Sequence, residues 1–166
     1  MSNGKKASLV YFGIAKTSQR IIAASESACY LPGVKNAAPK RQLVAVVDDD
    51  ESVRSAIHEA LKSVGLTARS FGSADEFLNS GIRSDTACLI TDVQMPGMSG
   101  LDLQAKLAHD GDRVAIIFIT AYGEEWMRTQ AMRAGAIEFL DKPFDDNVLL
   151  ETVFKALNAE LHSPSA

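Results

Sequence analysis

Apolar and polar residues alternate in blocks along residues 43–160, and the blocks have the lengths of strands and helices. Short apolar runs occupy residues 43–47, 67–71, 87–91, 114–119 and 137–141. Between and after these runs, apolar residues recur at the three- and four-residue spacing of amphipathic helices. The pattern therefore predicts five successive strand–helix units.

Helix boundaries and buried faces follow from the same pattern. The helices are predicted over residues 51–64, 73–78, 99–111, 124–134 and 145–161, and a capping box is predicted at residues 73–76. The last helix is predicted to bury Val148, Leu149, Val153, Ala156, Leu157 and Leu161. On the fourth helix, Met127, Ala131 and Ala134 would face inward, whereas Trp126, Gln130 and Arg133 fall on another face. Trp126 would either contact a partner protein or pack against the loop after the fourth strand.

The order of the elements predicts the fold class. Strands that alternate with helices favour a parallel sheet covered on both faces. Right-handed crossovers then favour an α/β, doubly wound, flavodoxin-like (βα)5 three-layer sandwich with strand order 2-1-3-4-5. In such a sheet the ligand site lies at the carboxyl ends of strands 1 and 3, where the winding direction reverses.

Composition limits the classes of function. The chain is 46% hydrophobic and 23% charged, which is typical of soluble globular proteins, and no apolar run reaches the roughly 18–20 residues that span a bilayer. Residues 1–42 hold seven Lys or Arg and one Glu (+6), whereas residues 43–166 hold ten basic and twenty acidic residues (−10). We therefore expect a basic, flexible extension over residues 1–42 and an acidic folded domain that does not bind nucleic acid directly.

Charged residues stand at the ends of three predicted strands. Asp48 and Asp49 follow the first strand, Asp92 ends the third before a Pro/Gly-rich loop, and Lys142 follows the fifth. Clustered carboxylates repel one another unless a cation compensates, and Mg²⁺ prefers carboxylate, water and phosphate oxygens. The set suits phosphoryl transfer to a carboxylate, with the metal and the lysine neutralising charge. Thr120, at the end of the fourth strand, could donate its hydroxyl to a phosphoryl oxygen.

Each of these residues also has a structural explanation when it is taken alone. Asp48–Asp50 could cap the first helix and complement its dipole. Asp92 could be a turn residue before Pro96. Thr120 could simply end its strand, and Lys142 could be a solvated lysine. Their joint placement at four strand ends favours a functional site.

Four motifs together carry a resemblance to a known family. They are Asp48-Asp49, Thr91-Asp92-Val93-Gln94-Met95-Pro96-Gly97-Met98-Ser99-Gly100, Thr120-Ala121 and Lys142-Pro143-Phe144. The intervals also fit, with 43 residues from Asp49 to Asp92, 28 from there to Thr120, and 50 from Asp92 to Lys142. The motifs resemble the receiver domain of two-component response regulators, and residues 118–123 and 131–136 look most like its FixJ-type branch. The resemblance covers about residues 43–160 and leaves residues 161–166 as a C-terminal tail.

The resemblance implies a role for each position. Asp92 would accept a phosphoryl group from a sensor histidine kinase or a phosphotransfer protein. Asp49 would bind Mg²⁺, or Mn²⁺ in its place, directly, and Asp48 would bind it through water or by supporting Asp49. Asp92 and the backbone carbonyl of Gln94 would complete the metal site. Lys142, followed by a cis bond to Pro143, would hold the phosphoryl group.

Thr120 and Phe139 would form the switch. Thr120 would move toward the phosphoryl group, and Phe139 would be the coupled aromatic rotamer. Their movement would bias a two-state surface made by the fourth helix, fifth strand and fifth helix, which could bind a downstream protein or a second receiver. The resemblance thus implies a bacterial cytoplasmic phosphoacceptor that catalyses only its own phosphorylation and dephosphorylation.

Two alternatives stay open at the level of sequence. The chain could be a degenerate receiver that acts only as a protein-interaction module. It could also be a phosphotransferase of the haloacid-dehalogenase type, although Ser52 stands where the Asp-x-Asp-x-Thr motif of that family has its threonine. FixJ-type regulators usually continue into a helix-turn-helix output domain. We expect no such domain in this chain and therefore do not predict DNA binding.

Overall fold

The computed structural model describes the backbone of residues 43–161 and the side chains of residues 43–158. Its elements alternate in the order β1 (Leu43–Val47), α1 (Glu51–Ser63), β2 (Thr67–Phe71), α2 (Ala74–Asn79), β3 (Thr86–Asp92), α3 (Gly100–Asp110), β4 (Ala115–Thr120), α4 (Glu125–Arg133), β5 (Glu138–Asp141) and α5 (Asp146–Leu161). The predicted extension over residues 1–42 and the tail beyond residue 161 lie outside the described residues. Within residues 43–161, none of the helices combines the length and apolar character that a membrane crossing requires.

The five strands form one parallel sheet in the predicted order β2-β1-β3-β4-β5. β3 lies in the centre and pairs with both β1 and β4. The register places Val47 beside Thr91, Asp92 beside Ile119, and Thr120 beside Asp141. The carboxyl ends of four strands therefore meet at one edge of the sheet, which brings the predicted site residues close together.

Alternate strand residues face opposite sides of the sheet and build two apolar cores. Val44 and Val46 face one side, where the buried side chains of α1 and α5 pack against them. Ala45 and Val47 face the other side, which is covered by α2, α3 and α4. The fold is therefore the predicted flavodoxin-like three-layer sandwich, with two helices on one face and three on the other.

Local capping sets the start of the two helices that border the site. Asp50 is the N-cap of α1, and its carboxylate accepts a hydrogen bond from the Ser52 amide at 2.8 Å. Ser99 and Asp102 form a reciprocal capping box at the start of α3. Both caps satisfy amides that the first helical turn leaves unpaired, so they fix where α1 and α3 begin relative to the sheet.

Three details of the sequence prediction were wrong. Val148 is 46% exposed, because it lies outside the buried face of α5, which is formed by Leu149, Val153, Ala156 and Leu157. Ala134 is exposed because it is the C-cap of α4 and lies beyond its last helical residue. At α2 only half of the capping box forms, since the Glu76 carboxylate accepts from the amide of Gly72 and not from that of Ser73. The side chain of Leu161 lies outside the described residues.

Trp126 lies on the outer surface of α4. It is 54% exposed and lines an open groove with Gln130 and Arg133, the two residues predicted to share its face. Its indole N–H donates to the Glu124 carboxylate at 2.6 Å. Trp126 is therefore exposed while its indole bonds to the loop after β4, and a contact with a partner protein stays a prediction.

Candidate functional site

The loop after β1 presents two carboxylates in different environments. Asp48 is fully buried, and its backbone amide donates to the carbonyl of Phe71 at 3.2 Å. Its carboxylate accepts from the Asp50 amide at 2.8 Å, and its carbonyl accepts from the Arg54 guanidinium at 2.6 Å. Asp49, one residue later, is exposed. The loop thus fixes Asp48 through several bonds and leaves Asp49 open to solvent.

Asp92 occupies the end of the central strand. It is 7% exposed, and its Oδ1 accepts a hydrogen bond from the Gln94 amide at 2.8 Å. Gly100, the first residue of α3, packs against its backbone, since a Cβ at that position would lie 2.2 Å from the carbonyl oxygen of Asp92. The absence of a side chain at Gly100 therefore allows the loop to fold back beside Asp92.

Lys142 joins the two buried carboxylates. Its Nζ lies 2.7 Å from Oδ2 of Asp48 and 2.6 Å from Oδ2 of Asp92, and its side chain is 17% exposed. Its backbone amide donates to the carbonyl of Thr120 at 2.7 Å, and the peptide bond to Pro143 is cis, as expected. The ends of β1, β3 and β5 thus meet at one ammonium group. We call Asp48, Asp49, Asp92 and Lys142 the acidic pocket.

Burial and pairing shift the pKa values in this pocket. Burial raises the pKa of the Asp48 carboxyl above its ordinary value of 3.8, although hydrogen bonds from Lys142 and from the Asp50 amide act in the opposite direction. Burial lowers the pKa of Lys142, but its hydrogen bonds to Asp48 and Asp92 outweigh that effect and leave its pKa above 10.5. Lys142 is therefore an ammonium group at neutral pH, and it faces more negative charge than it can neutralise alone.

The carboxylates of the acidic pocket fit a divalent cation. One oxygen from each of Asp48, Asp49 and Asp92 can be chosen so that all three lie within 4.8 Å of one another. Carboxylate oxygens are the ligands that hard cations such as Mg²⁺ prefer. The amide of Gln94 faces the Oδ1 of Asp92, whereas a metal contact of the Gln94 carbonyl stays a prediction.

The two predicted switch residues lie beside this pocket. Thr120 is fully buried, and its hydroxyl oxygen accepts from the Tyr122 amide at 3.3 Å. Its hydrogen bond to the pocket runs through its backbone carbonyl, which binds Lys142. Phe139 is 2% exposed, and its ring centroid lies 6.0 Å from that of Phe118. The structure thus places both side chains in the interior next to the strand ends.

Sequence patterns missed two arginines near the site. Arg54 binds the carbonyl of Asp48, and Arg128 binds the carbonyl of Phe139 at 2.8 Å. Each lies on an amphipathic helix where its charge suits a solvated position, so the apolar periodicity gave no signal for these contacts. Only the position of Arg54 in the first turn after an acidic loop could have suggested its partner.

The geometry agrees with the comparison against known families. The sequence profile of the response regulator receiver domain matches residues 44–154, which is more than half of the chain. The chain belongs to this family. It is a receiver domain of two-component response regulators, and Asp48, Asp49 and Asp92 form an acidic pocket that fits the phosphorylation site. This membership does not support the haloacid-dehalogenase alternative.

Named relatives share the receiver domain over part of their length. The chain is 45% identical over 119 residues to Nodulation protein W of Bradyrhizobium diazoefficiens, which covers 72% of this chain and 52% of that protein. It is 40% identical over 119 residues to Transcriptional regulatory protein FixJ of Azorhizobium caulinodans, covering 72% and 56%. The crystal structure of FixJ-N matches with a TM-score of 0.65 and 34% identity, over 75% of this chain and 98% of that one. The chain thus spans about half the length of the curated relatives it matches.

Family membership carries general properties. Receiver domains are signalling domains, they interact with histidine kinases or phosphotransfer proteins, and they generally depend on a divalent metal.

Proposed function

We propose that Asp92 is the phosphoacceptor of this receiver domain and that a phosphohistidine of a sensor kinase or phosphotransfer protein is the donor. An Asp92 carboxylate oxygen attacks phosphorus and forms a phosphorus–oxygen bond. The phosphorus–nitrogen bond breaks, and the histidine nitrogen keeps the electron pair and takes up a proton. Asp92 is supported for this role because it ends the central strand, is bound by Lys142 and is only slightly exposed.

Lys142 supplies the positive charge that the reaction needs from the protein. Its ammonium lies 2.6 Å from the Asp92 carboxylate, so a phosphoryl group on Asp92 would stand within its reach. A bound Mg²⁺ or Mn²⁺, held by Asp48, Asp49, Asp92 and the Gln94 carbonyl, would neutralise further charge on the phosphoryl oxygens. The same groups would support hydrolysis of the acyl phosphate, so the activity would be limited to the domain's own phosphorylation and dephosphorylation.

Phosphorylation of Asp92 would change the conformations of Thr120 and Phe139. Thr120 would turn toward the phosphoryl group, and Phe139 would occupy the interior when Thr120 has moved. These changes would bias the α4–β5–α5 face, which carries the exposed apolar side chains of Trp126, Met132, Val148 and Phe154. Such side chains suit a second receiver or a downstream protein as partner. Direct nucleic-acid binding and a membrane contact are not proposed for this acidic domain, and a bacterial cytoplasmic location stays a prediction.

The test is labelling by a small acyl phosphate in the presence of Mg²⁺, followed by intact mass measurement. The chain should gain the mass of one phosphoryl group, Asp92→Ala should gain none, and chelation of the metal should abolish labelling. Asp75→Ala, at an exposed aspartate on α2, is the matched control and should label like the native chain. Labelling that persists in Asp92→Ala would place the acceptor elsewhere, and a chain that never labels would favour the degenerate, interaction-only receiver.

A further inference from the structure

Arg128 makes three contacts with β5, the strand that carries Phe139. One guanidinium nitrogen donates to the carbonyl of Phe139 at 2.8 Å, and the other donates to the Asp141 carboxylate at 2.8 Å. The guanidinium carbon also lies 4.7 Å from the centroid of the Phe139 ring, within the range of a cation–π contact. A single side chain of α4 thus binds the backbone, the aromatic ring and the terminal carboxylate of the neighbouring strand.

The Phe139 ring lies in a narrow space that it shares with Thr120. A Cβ placed on Gly123 would lie 2.6 Å from the Asp141 carboxylate, 2.9 Å from the Phe139 ring and 3.0 Å from the Thr120 methyl group, so all three side chains border the same small space beside Gly123. Phe118 lies against the ring from within the core. Movement of Thr120 toward Asp92 would enlarge this space, and movement in the other direction would crowd the ring.

Asp141 connects these contacts to the acidic pocket. It directly precedes Lys142, whose ammonium binds Asp48 and Asp92. The side chains of Arg128 and Asp141 are 35% and 60% exposed, so their ion pair alone would stabilise the fold little. These contacts are therefore better suited to stabilising one of two arrangements of β5 than to increasing the stability of the whole domain.

We propose that Arg128 is a positioning residue of the switch: it covers the Phe139 ring, binds the end of β5, and favours the inward rotamer of Phe139. Through these contacts the position of α4 is coupled to the positions of β5 and of Lys142. This inference rests on the proposed function, in which Thr120 and Phe139 transmit phosphorylation of Asp92. It adds a side chain of α4 that contacts the same ring.

The test reports the Phe139 rotamer directly. 4-Fluorophenylalanine is placed at position 139, and ¹⁹F NMR measures the ratio of inward to outward ring in the unphosphorylated, folded domain. Arg128→Met, which keeps the length but removes the donors and the charge, should lower this ratio about tenfold, the loss expected for a cation–π contact and a hydrogen bond together. Arg128→Lys, which keeps the charge, should give an intermediate ratio. Arg133→Met, at an exposed arginine of the same helix, should leave the ratio unchanged.

A second measurement separates this inference from the proposed function. Addition of the acyl phosphate and Mg²⁺ should return the ring in Arg128→Met toward the inward position, because Thr120 then vacates the shared space. An unchanged ratio in Arg128→Met, with native labelling of Asp92, would overturn the role of Arg128. Absence of labelling in the native chain would overturn the proposed function instead, while the ¹⁹F ratio would still decide whether Arg128 positions the ring. If Arg128→Met does not fold, Asp141→Asn should lower the ratio in the same direction, and no change there would also count against the proposal.

Discussion

Lys142 binds two carboxylates that would otherwise repel each other across the ends of β1 and β3. Asp48 remains an unfavourable position for a charge, because burial raises its pKa despite the nearby ammonium. Asp50, two residues later, has the opposite character, since hydrogen bonds from the Ser52 amide lower its pKa. Neighbouring aspartates of one loop are thus expected to affect stability in opposite directions as pH changes.

Replacement of Asp48 by asparagine tests this difference. Because the folded pKa of Asp48 lies above 3.8, its contribution to stability is fully present below that pH and is lost as pH rises through the folded pKa. In metal-free buffer, Asp48→Asn should therefore gain stability relative to the native chain as pH rises from about 3.5 to 7, as measured by the free energy of urea unfolding.

Asp50→Asn is the control for this measurement. The lowered pKa of Asp50 means that its stabilisation is present above 3.8 and is lost as pH falls, so this variant should become less stable than the native chain over the same rise in pH. If the two variants change in the same direction, burial does not determine the behaviour of Asp48.

At the scale of the elements, the start of α3 is fitted to the end of β3. The hypothetical Cβ of Gly100 would lie 2.2 Å from the Asp92 carbonyl and 3.2 Å from the Phe118 ring, so helix and strand approach at closer range than any side chain permits. This approach determines how α3 leaves the loop that contains Gln94. The position of Asp92 therefore depends on the packing of an element as well as on its own bonds.

Gly100→Ala should destabilise the domain by about 2–4 kcal/mol, because backbone atoms of β3 or α3 must move to admit the methyl group. Gly111→Ala, at the other end of the same helix, is the control: its φ of 80° is strained for alanine but the space is open, so the cost should be about 1 kcal/mol. Urea unfolding measures both variants. Equal losses would show that the close approach of Gly100 to the Asp92 carbonyl costs no more than the strained φ of Gly111.

The sequence was sufficient to predict strands and helices, because the hydrophobicity of their residues reflects whether each residue is buried or exposed. Apolar runs located all five strands, and the charged residues that follow them located Asp48, Asp92 and Lys142 at one sheet edge. It was insufficient where a side chain reaches across to another element, as Arg128 does from α4 to β5. Periodicity also misplaced Val148, since spacing defines an apolar stripe but not the angle at which α5 meets the sheet.

At the scale of the whole molecule, four of the six large apolar side chains that are exposed among the described residues belong to α4 and α5. Trp126 and Met132 of α4 are 54% and 42% exposed, and Val148 and Phe154 of α5 are 46% and 42% exposed. α4 packs against β5, the strand that precedes Lys142, and α5 packs against β4 and β3, so both helices contact strands whose ends border the acidic pocket. A surface that binds only one of two conformations would couple partner binding to phosphorylation.

Self-association of the phosphorylated domain is the simplest consequence to test. Sedimentation velocity should show a larger dimer fraction after labelling with acyl phosphate and Mg²⁺. Val148→Glu should weaken that dimer about tenfold, because a charge would enter its apolar contact. Val64→Glu, at a 41% exposed valine after α1, should have no effect. An equal effect of both substitutions, or of neither, would contradict dimerisation through α4–β5–α5.

The ammonium of Lys142 bonds to carboxylates that precede it by 94 and 50 positions in the chain. During synthesis, Asp48 and Asp92 are therefore made long before the group that neutralises them. A nascent chain that stops short of β5 holds two acids without that counter-charge, and contacts of such long range are slow to form because the intervening chain must first be ordered. The ability to accept a phosphoryl group would then be the last property of the domain to form. An incompletely synthesised domain on the ribosome could therefore not react with a kinase.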